Sequence, residues 1–149
     1  MTRWRGLRDG TVCPICVRGG PLDVVAELHA TWVSTPTVAP LPGYACVVSK
    51  RHVVEPYELP PEERTAFWEE AMTVARALAF LYDPVKMNYE IHGNVVPHLH
   101  LHLYPRYEGD PYRTGALDRR EDSFTRTGPE LAAIEDAILA TYGTQRAPR

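Results

Sequence analysis

The feature that most constrains this chain is the run His98-Leu99-His100-Leu101-His102. Side chains of an extended strand alternate between its two faces, so the three imidazoles share one face and the leucines occupy the other. The leucine face belongs to a core. The histidine face has to look into a polar cleft, because stacked imidazoles make a poor core surface.

The rest of the chain supplies the layers around such a strand. Residues 22–28 and Thr31–Ser34 read as short strands around His29 and Ala30, and Pro36, Pro40, Pro42 and Gly43 mark a loop. Residues 44–48 form an apolar, β-branched strand. Pro60, Pro61, Glu62 and Glu63 open a helix of about 20 residues, in which Phe67, Met72, Ala75, Leu78 and Ala79 recur at helical spacing up to Tyr82. Residues 85–91 and 98–104 are two strands flanking a turn with Gly93 and Asn94, and Pro105 is expected to stop the second. Residues 1–20 and 108–126 read as irregular. Thr127-Gly128-Pro129-Glu130 has the form of a capping box, and a short helix using Leu131, Ile134, Ile138 and Leu139 follows. This pattern predicts one α+β domain over residues 1–149: a mostly antiparallel sheet of about five strands, one long helix and a C-terminal helix. Residues 1–20 are its N-terminal CxxC loop and 108–149 its C-terminal extension.

Charge and composition exclude some functions. A net charge of -3 on 149 residues does not suit a general nucleic-acid binder, whose domain is normally basic. No apolar run reaches the length of a membrane span and no signal-like block opens the chain, so a cytoplasmic protein is expected. The three cysteines agree, since a disulfide framework would leave one over. Cys46 lies in an apolar run and reads as a small core residue.

Imidazole is neutral or charged near physiological pH, so each histidine of the run can serve as nucleophile, donor or metal ligand. Read from the residues alone, the run also fits a metal site, since alternate strand positions can place two ligands on one ion, or three unrelated surface histidines. The Cys13-x-x-Cys16 pair has metal-ligand spacing, and it fits a redox pair or two inert thiols equally well.

The wider context narrows these choices. His98-Leu-His100-Leu-His102-Leu103-Tyr104, preceded by Asn88-Tyr89-Glu90 and Gly93-Asn94-Val95-Val96-Pro97 and followed by Pro105-Arg106-Tyr107, resembles the signature of the histidine-triad (HIT) family. It is most similar to the bacterial branch described as diadenosine polyphosphate hydrolase-like. The segment from Pro42-Gly43-Tyr44 to Lys50-Arg51-His52 resembles an earlier family segment, and the likeness covers roughly residues 10–110.

The resemblance implies a HIT-like fold, a homodimer and a nucleotide bound in a cleft on the sheet. It makes His100 the nucleophile on an α-phosphate, through a nucleotidyl-histidine intermediate. His102, Asn94 and Asn88 would bind the phosphate, and His98 would complete the triad. The base would lie among apolar side chains of residues 24–33. The substrate would be a dinucleoside polyphosphate or a nucleoside phosphoramidate; a phosphorylase or nucleotidyltransferase, or a sensor with vestigial turnover, would share the same site. It also implies a structural zinc ion on Cys13, Cys16, His52 and His98. Two positions depart from the family: Val95 stands where some eukaryotic members have a serine that helps the leaving group, and Tyr44 where many have histidine. His29 and His92 receive no role.

Overall fold

The computed structural model describes residues 3–112, 114–117 and 124–146. In chain order the elements are α1 (Arg3–Arg8), α2 (Pro14–Arg18), β1 (Val24–Glu27), β2 (Thr31–Ser34), β3 (Val38–Ala39), β4 (Ala45–Ser49), a 3₁₀ turn (Pro56–Glu58), α3 (Pro61–Tyr82), β5 (Lys86–Glu90), β6 (His100–Arg106), β7 (Phe124–Thr125) and α4 (Gly128–Arg146). Five strands pair antiparallel in the order β1-β2-β4-β6-β5, and β3 pairs with β7 in a separate ribbon.

Alternation along the two central strands sets the layers. Ala45 and Val47 of β4 lie with Leu101 and Leu103 of β6 in one core, under Phe67, Val74 and Leu78 of α3 and Ile134 and Ile138 of α4. Cys46, Val48 and Tyr104 point to the other face, where Ala39, Leu41, Tyr44 and Leu117 cover them. Each leucine so buried contributes about 1.5–3 kcal/mol. The second face is partly roofed by chain rather than by a helix, which leaves room for a cleft.

The long helix begins as its sequence predicts, with Pro61 at its start and Glu62 and Glu63 in the first turn. Its buried stripe runs through Phe67, Ala71, Val74, Ala75 and Leu78. Met72 and Ala79, expected in that stripe, face outward. Asp83, in left-handed backbone with φ 47°, ends the helix by donating its N–H to the Ala79 carbonyl. Glu70, buried within the helix, accepts from the Ala30 N–H at 3.0 Å and the Thr31 hydroxyl at 2.7 Å, so it ties the β1–β2 turn to α3. At the start of α4 the capping box forms: the Thr127 N–H donates to the Glu130 carboxylate at 2.7 Å, and the Glu130 N–H donates back to the Thr127 hydroxyl at 3.3 Å. The helix has 19 residues and is not the short one expected.

Several expectations need correction. Residues 1–20 are not simply a loop, for they hold two short helices. The second starts on Pro14 and ends on Gly19 at φ 82°, a proline-in, glycine-out signature readable in the sequence. The triad strand begins at His100, so His98 lies just outside it. Nor does Pro105 stop the strand. Arg106 directs its carbonyl toward β5, where it accepts from Val85 N–H at 2.9 Å, so the missing N–H of Pro105 falls on the opposite side. There, pairing with β4 has already ended at Ala45–Leu103. The proline-rich loop contains β3, and the irregular stretch 108–126 contains β7, its partner. Residues 113 and 118–123 of that stretch lie outside the described residues.

Two glycines are required by what surrounds them. At Gly43, φ is 75° and a Cβ would lie 2.7 Å from the Tyr82 ring and 3.0 Å from Pro105. The chain thus enters β4 pressed against the end of α3. Gly10, at φ 86°, brings the backbone against the ring of His52, where a Cβ would lie 3.2 Å from the imidazole.

Candidate active site and metal cluster

Antiparallel register places His100 opposite Val48 and His102 opposite Cys46. The two imidazoles stand edge to face, with ring centroids 4.9 Å apart. The His100 Nδ1–H donates to the carbonyl of His98 at 2.6 Å. That bond selects the tautomer in which Nε2 carries the lone pair, the form a nucleophile needs. His102 is buried and its Nδ1 lies 2.8 Å from the hydroxyl of Tyr44. Tyr44 is stacked on Tyr104 at 5.0 Å and hangs from the β4 entry at Gly43. Its hydroxyl holds His102 from a position where the resemblance would put an imidazole.

Two cavities meet at these histidines. One, of about 270 Å³, is walled by Ile15, Pro21, Ser34, Pro36, Cys46 and Val48. The other, of about 480 Å³, is lined by His92, Asn94, Val95, Tyr104 and Leu117. Val96, His100 and His102 border both. Among the described residues, no lysine or arginine lines either. Residues 24–33, expected to enclose a base, line neither cavity; the apolar walls come from α2 and the chain after β2 instead.

Asn94 and Asn88 part company. Asn94 borders the larger of these cavities with His100 and His102. Asn88 lies opposite Tyr104 in the β5–β6 pairing, and its Oδ1 accepts from Arg106 Nη1 at 2.8 Å. Arg106 in turn donates twice to Asp110, both at 2.8 Å. This arginine pair lines a separate cavity of about 560 Å³ beside β5. The Arg106 guanidinium, helped by the backbone N–H groups of Tyr107 and Tyr112, holds the Asp110 carboxyl down at about 2. The loop after β6 is thereby locked back onto the sheet.

His98 belongs to a different constellation. Its Nδ1 lies 3.5 Å from Cys13 Sγ, 3.6 Å from Cys16 Sγ and 3.1 Å from His52 Nδ1. Cys16 Sγ is 3.2 Å from His52 Nδ1. All four ligand atoms lie within 4.8 Å of one another. A tetrahedron with ordinary zinc bond lengths has edges of about 3.3 Å between nitrogens and about 3.6 Å between nitrogen and sulfur, close to the separations of His98 Nδ1 from His52 Nδ1 and from the two cysteines. The far ring nitrogens are also assigned. His98 Nε2 donates to the Ser49 carbonyl at 2.7 Å and His52 Nε2 to the Arg8 carbonyl at 2.8 Å, so both Nδ1 lone pairs face the cysteines. Burial lowers the pKa of His98 and favours its neutral, ligating form.

Sequence reasoning brought these four residues together but missed their supports. The Arg8 carbonyl comes from α1, which was read as irregular. Ser49 acts through its backbone, and a backbone carbonyl leaves no mark in residue identity. Glu90 and His92, discussed below, also went unassigned.

The fold and site together define an α+β protein with a histidine-bearing sheet face beside a Cys₂His₂ cluster. Comparison with known proteins gives the family. The HIT domain matches residues 21–109, and the chain belongs to the HIT domain family. The protein called Protein hit from Bacillus subtilis is 30% identical over 100 residues, covering 60% of this chain and 69% of that one. An uncharacterised HIT-like protein of Methanocaldococcus jannaschii is 36% identical over 72 residues, or 46% of this chain and only 56% of the length of the relative. Among solved structures, a histidine triad protein from Bradyrhizobium japonicum superposes with TM-score 0.71 at 23% identity, over 80% of this chain and 89% of that one. A zinc-bound histidine triad family protein from Mycobacterium smegmatis gives 0.62 at 22% identity, over 90% and 96%. Membership of the broader family is thereby established, and the HIT-like fold with it.

The Arg106–Asp110 pair makes a pH-dependent contribution. Because the native carboxyl sits at about 2, below its ordinary 3.8, the unfolded chain binds the proton more tightly. The stabilisation is therefore present above pH 4 and disappears as pH falls toward 2. In urea unfolding, the advantage of the parent chain over Asp110→Asn should shrink by about 2 kcal/mol between pH 5 and pH 2. A constant gap would show that the pair contributes nothing through its charge.

Proposed function

We propose that this chain is a nucleotide hydrolase that cleaves dinucleoside polyphosphates or nucleoside phosphoramidates at the α-phosphate. The observation that carries the reading is the His100–His98 bond, which orients a lone-pair Nε2 at the boundary between two cavities. The smaller, more apolar cavity suits the base and ribose. The larger one suits the departing portion of the substrate, with Asn94 and the turn at Gly93–Val96 as donors to phosphate oxygens. His100 Nε2 attacks phosphorus, the bond to the leaving group breaks, and a nucleotidyl-histidine forms. Water then attacks the same phosphorus and frees His100. His102, held by Tyr44, donates to a phosphoryl oxygen as charge accumulates there. Asn88 is engaged with Arg106 and takes no direct part.

The Cys13, Cys16, His52 and His98 set would hold a zinc ion with no open coordination position, hence a structural one. The zinc-bound relative supports this choice of metal. When bound, the ion supplies rigidity, tying α1, α2 and the β4 exit to His98.

We also propose a homodimer. β5 ends the sheet order, and α3 exposes Trp68, Met72 and Phe80 on its outer side. A sheet edge that no described strand pairs and an exposed apolar helix face are what a second copy would cover.

Three measurements test these proposals. His100→Ala should lose covalent labelling by a nucleotide substrate and at least about a thousandfold in turnover, with its circular dichroism unchanged. Full turnover in that variant would refute the mechanism. Chain purified without chelator should carry about one zinc per chain, and less than about a tenth would overturn the zinc assignment. Light scattering should give twice the chain mass, and Phe80→Glu should shift the population toward monomer; a parent chain that is monomeric at micromolar concentration would overturn the dimer.

A further inference from the structure

The cavity on the leaving-group side has a proton carrier that the triad does not account for. His92 lines it together with His100 and His102, and its ring centroid is 6.1 Å from that of His102. His92 Nε2 lies 2.9 Å from Glu90 Oε2. Glu90 stands opposite His102 in the β5–β6 pairing, with its side chain largely buried. Its other oxygen, Oε1, accepts from the Leu117 N–H at 3.3 Å. The carboxylate is thus fixed from two sides and presents an acceptor to the imidazole. His92 itself is half exposed.

Elimination sharpens the role. Outside the triad, the residues lining this cavity are His92, Gly93, Asn94, Val95, Val96, Tyr104 and Leu117. Val95 has no proton to give, Asn94 does not titrate, and Tyr104 is buried. Among the described residues of that lining, His92 is the one imidazole beyond the triad, and an imidazole can carry a proton or pass it on. Among the described residues, no lysine or arginine lines that cavity.

Resting on the hydrolase reading above, we propose that His92, oriented by Glu90, is the proton donor to the leaving group. As His100 Nε2 bonds to the α-phosphorus, the electron pair of the breaking P–N or P–O bond passes to the departing atom. The departing atom takes the proton of the His92 imidazolium. In the second half, the attacking water gives a proton to the now neutral His92, the P–N bond to His100 breaks, and both imidazoles return to their starting states. A carboxylate partner serves this cycle because it balances the imidazolium charge and keeps the ring from turning away. Such a donor matters most where the leaving group is strongly basic, as the amine of a phosphoramidate is, and least for an acidic one such as nitrophenolate. The site is thereby suited to nucleoside phosphoramidates and similar substrates with basic leaving groups.

The test compares leaving groups. With a nucleoside phosphoramidate, His92→Asn should lower the single-turnover rate of His100 labelling by about a hundredfold or more. With the p-nitrophenyl ester of the same nucleoside monophosphate, the single-turnover rate of His100 labelling should fall by no more than about fivefold, because that departure needs no proton and the shared water step is not read. Glu90→Gln should show the same bias at smaller size. Labelling of His100 by the nitrophenyl ester in each variant reports that fold and nucleophile are intact. Equal losses on both substrates, or none on either, would overturn the role of His92 while leaving the nucleophile in place. Absence of labelling in the parent chain would overturn the hydrolase reading, and this one with it.

Discussion

The pairing of β4 with β6 holds Val48 opposite His100 and Cys46 opposite His102, and both layers of the molecule are built against that pair. Leu101 and Leu103 go with Ala45 and Val47 beneath α3. The alternate residues go to the face where the cleft lies. Because strand side chains repeat every two residues, a slip of one position would send the leucines into the cleft and the imidazoles under the helix. The apolar core therefore enforces the placing of the histidines.

His98 links that pair of strands to the N-terminal segment through three separate groups. Its carbonyl accepts from His100, its Nε2 donates to the Ser49 carbonyl at the end of β4, and its Nδ1 faces the cysteines and His52. One residue thus orients the His100 ring and anchors the Cys₂His₂ cluster. Two short helices that bury little surface of their own are held in place largely through this cluster. Arg8 contributes a carbonyl, and Gly10 lets the chain pass flat against the His52 ring.

The cleft face is closed by chain that comes from far along the sequence. Arg126, buried beside β7, donates to the Tyr44 and Pro36 carbonyls, while Tyr44 reaches His102. Arg106 and Asp110 fold the loop after β6 back over the sheet, and Leu117 packs on the cleft side. Among the described residues, no lysine or arginine lines the cleft. The polar groups there are imidazoles, an asparagine side chain and the backbone N–H groups of the Gly93–Val96 turn.

Much of this was legible in the sequence because it is local. The period-two run determined a two-faced strand from His100 onward, though not the turning of His98 to the cysteines; the acids and prolines at 60–63 determined a helix start, and Thr127 with Glu130 a capping box that forms as written. The Cys13-x-x-Cys16 spacing, with the family resemblance, indicated the metal cluster, and the structure does gather it with His52 and His98. What the sequence could not determine is how residues distant along the chain share their partners. Asn88 is bound to Arg106 because register sets it opposite Tyr104, two places short of His102. Glu90, one alternate position further along β5, does reach that level and holds His92 at the cleft. Residue type says only which hydrogen bonds a side chain can make. Strand register and the closing of long loops decide which it makes, because those bonds join elements whose relative position depends on the packing of the whole core.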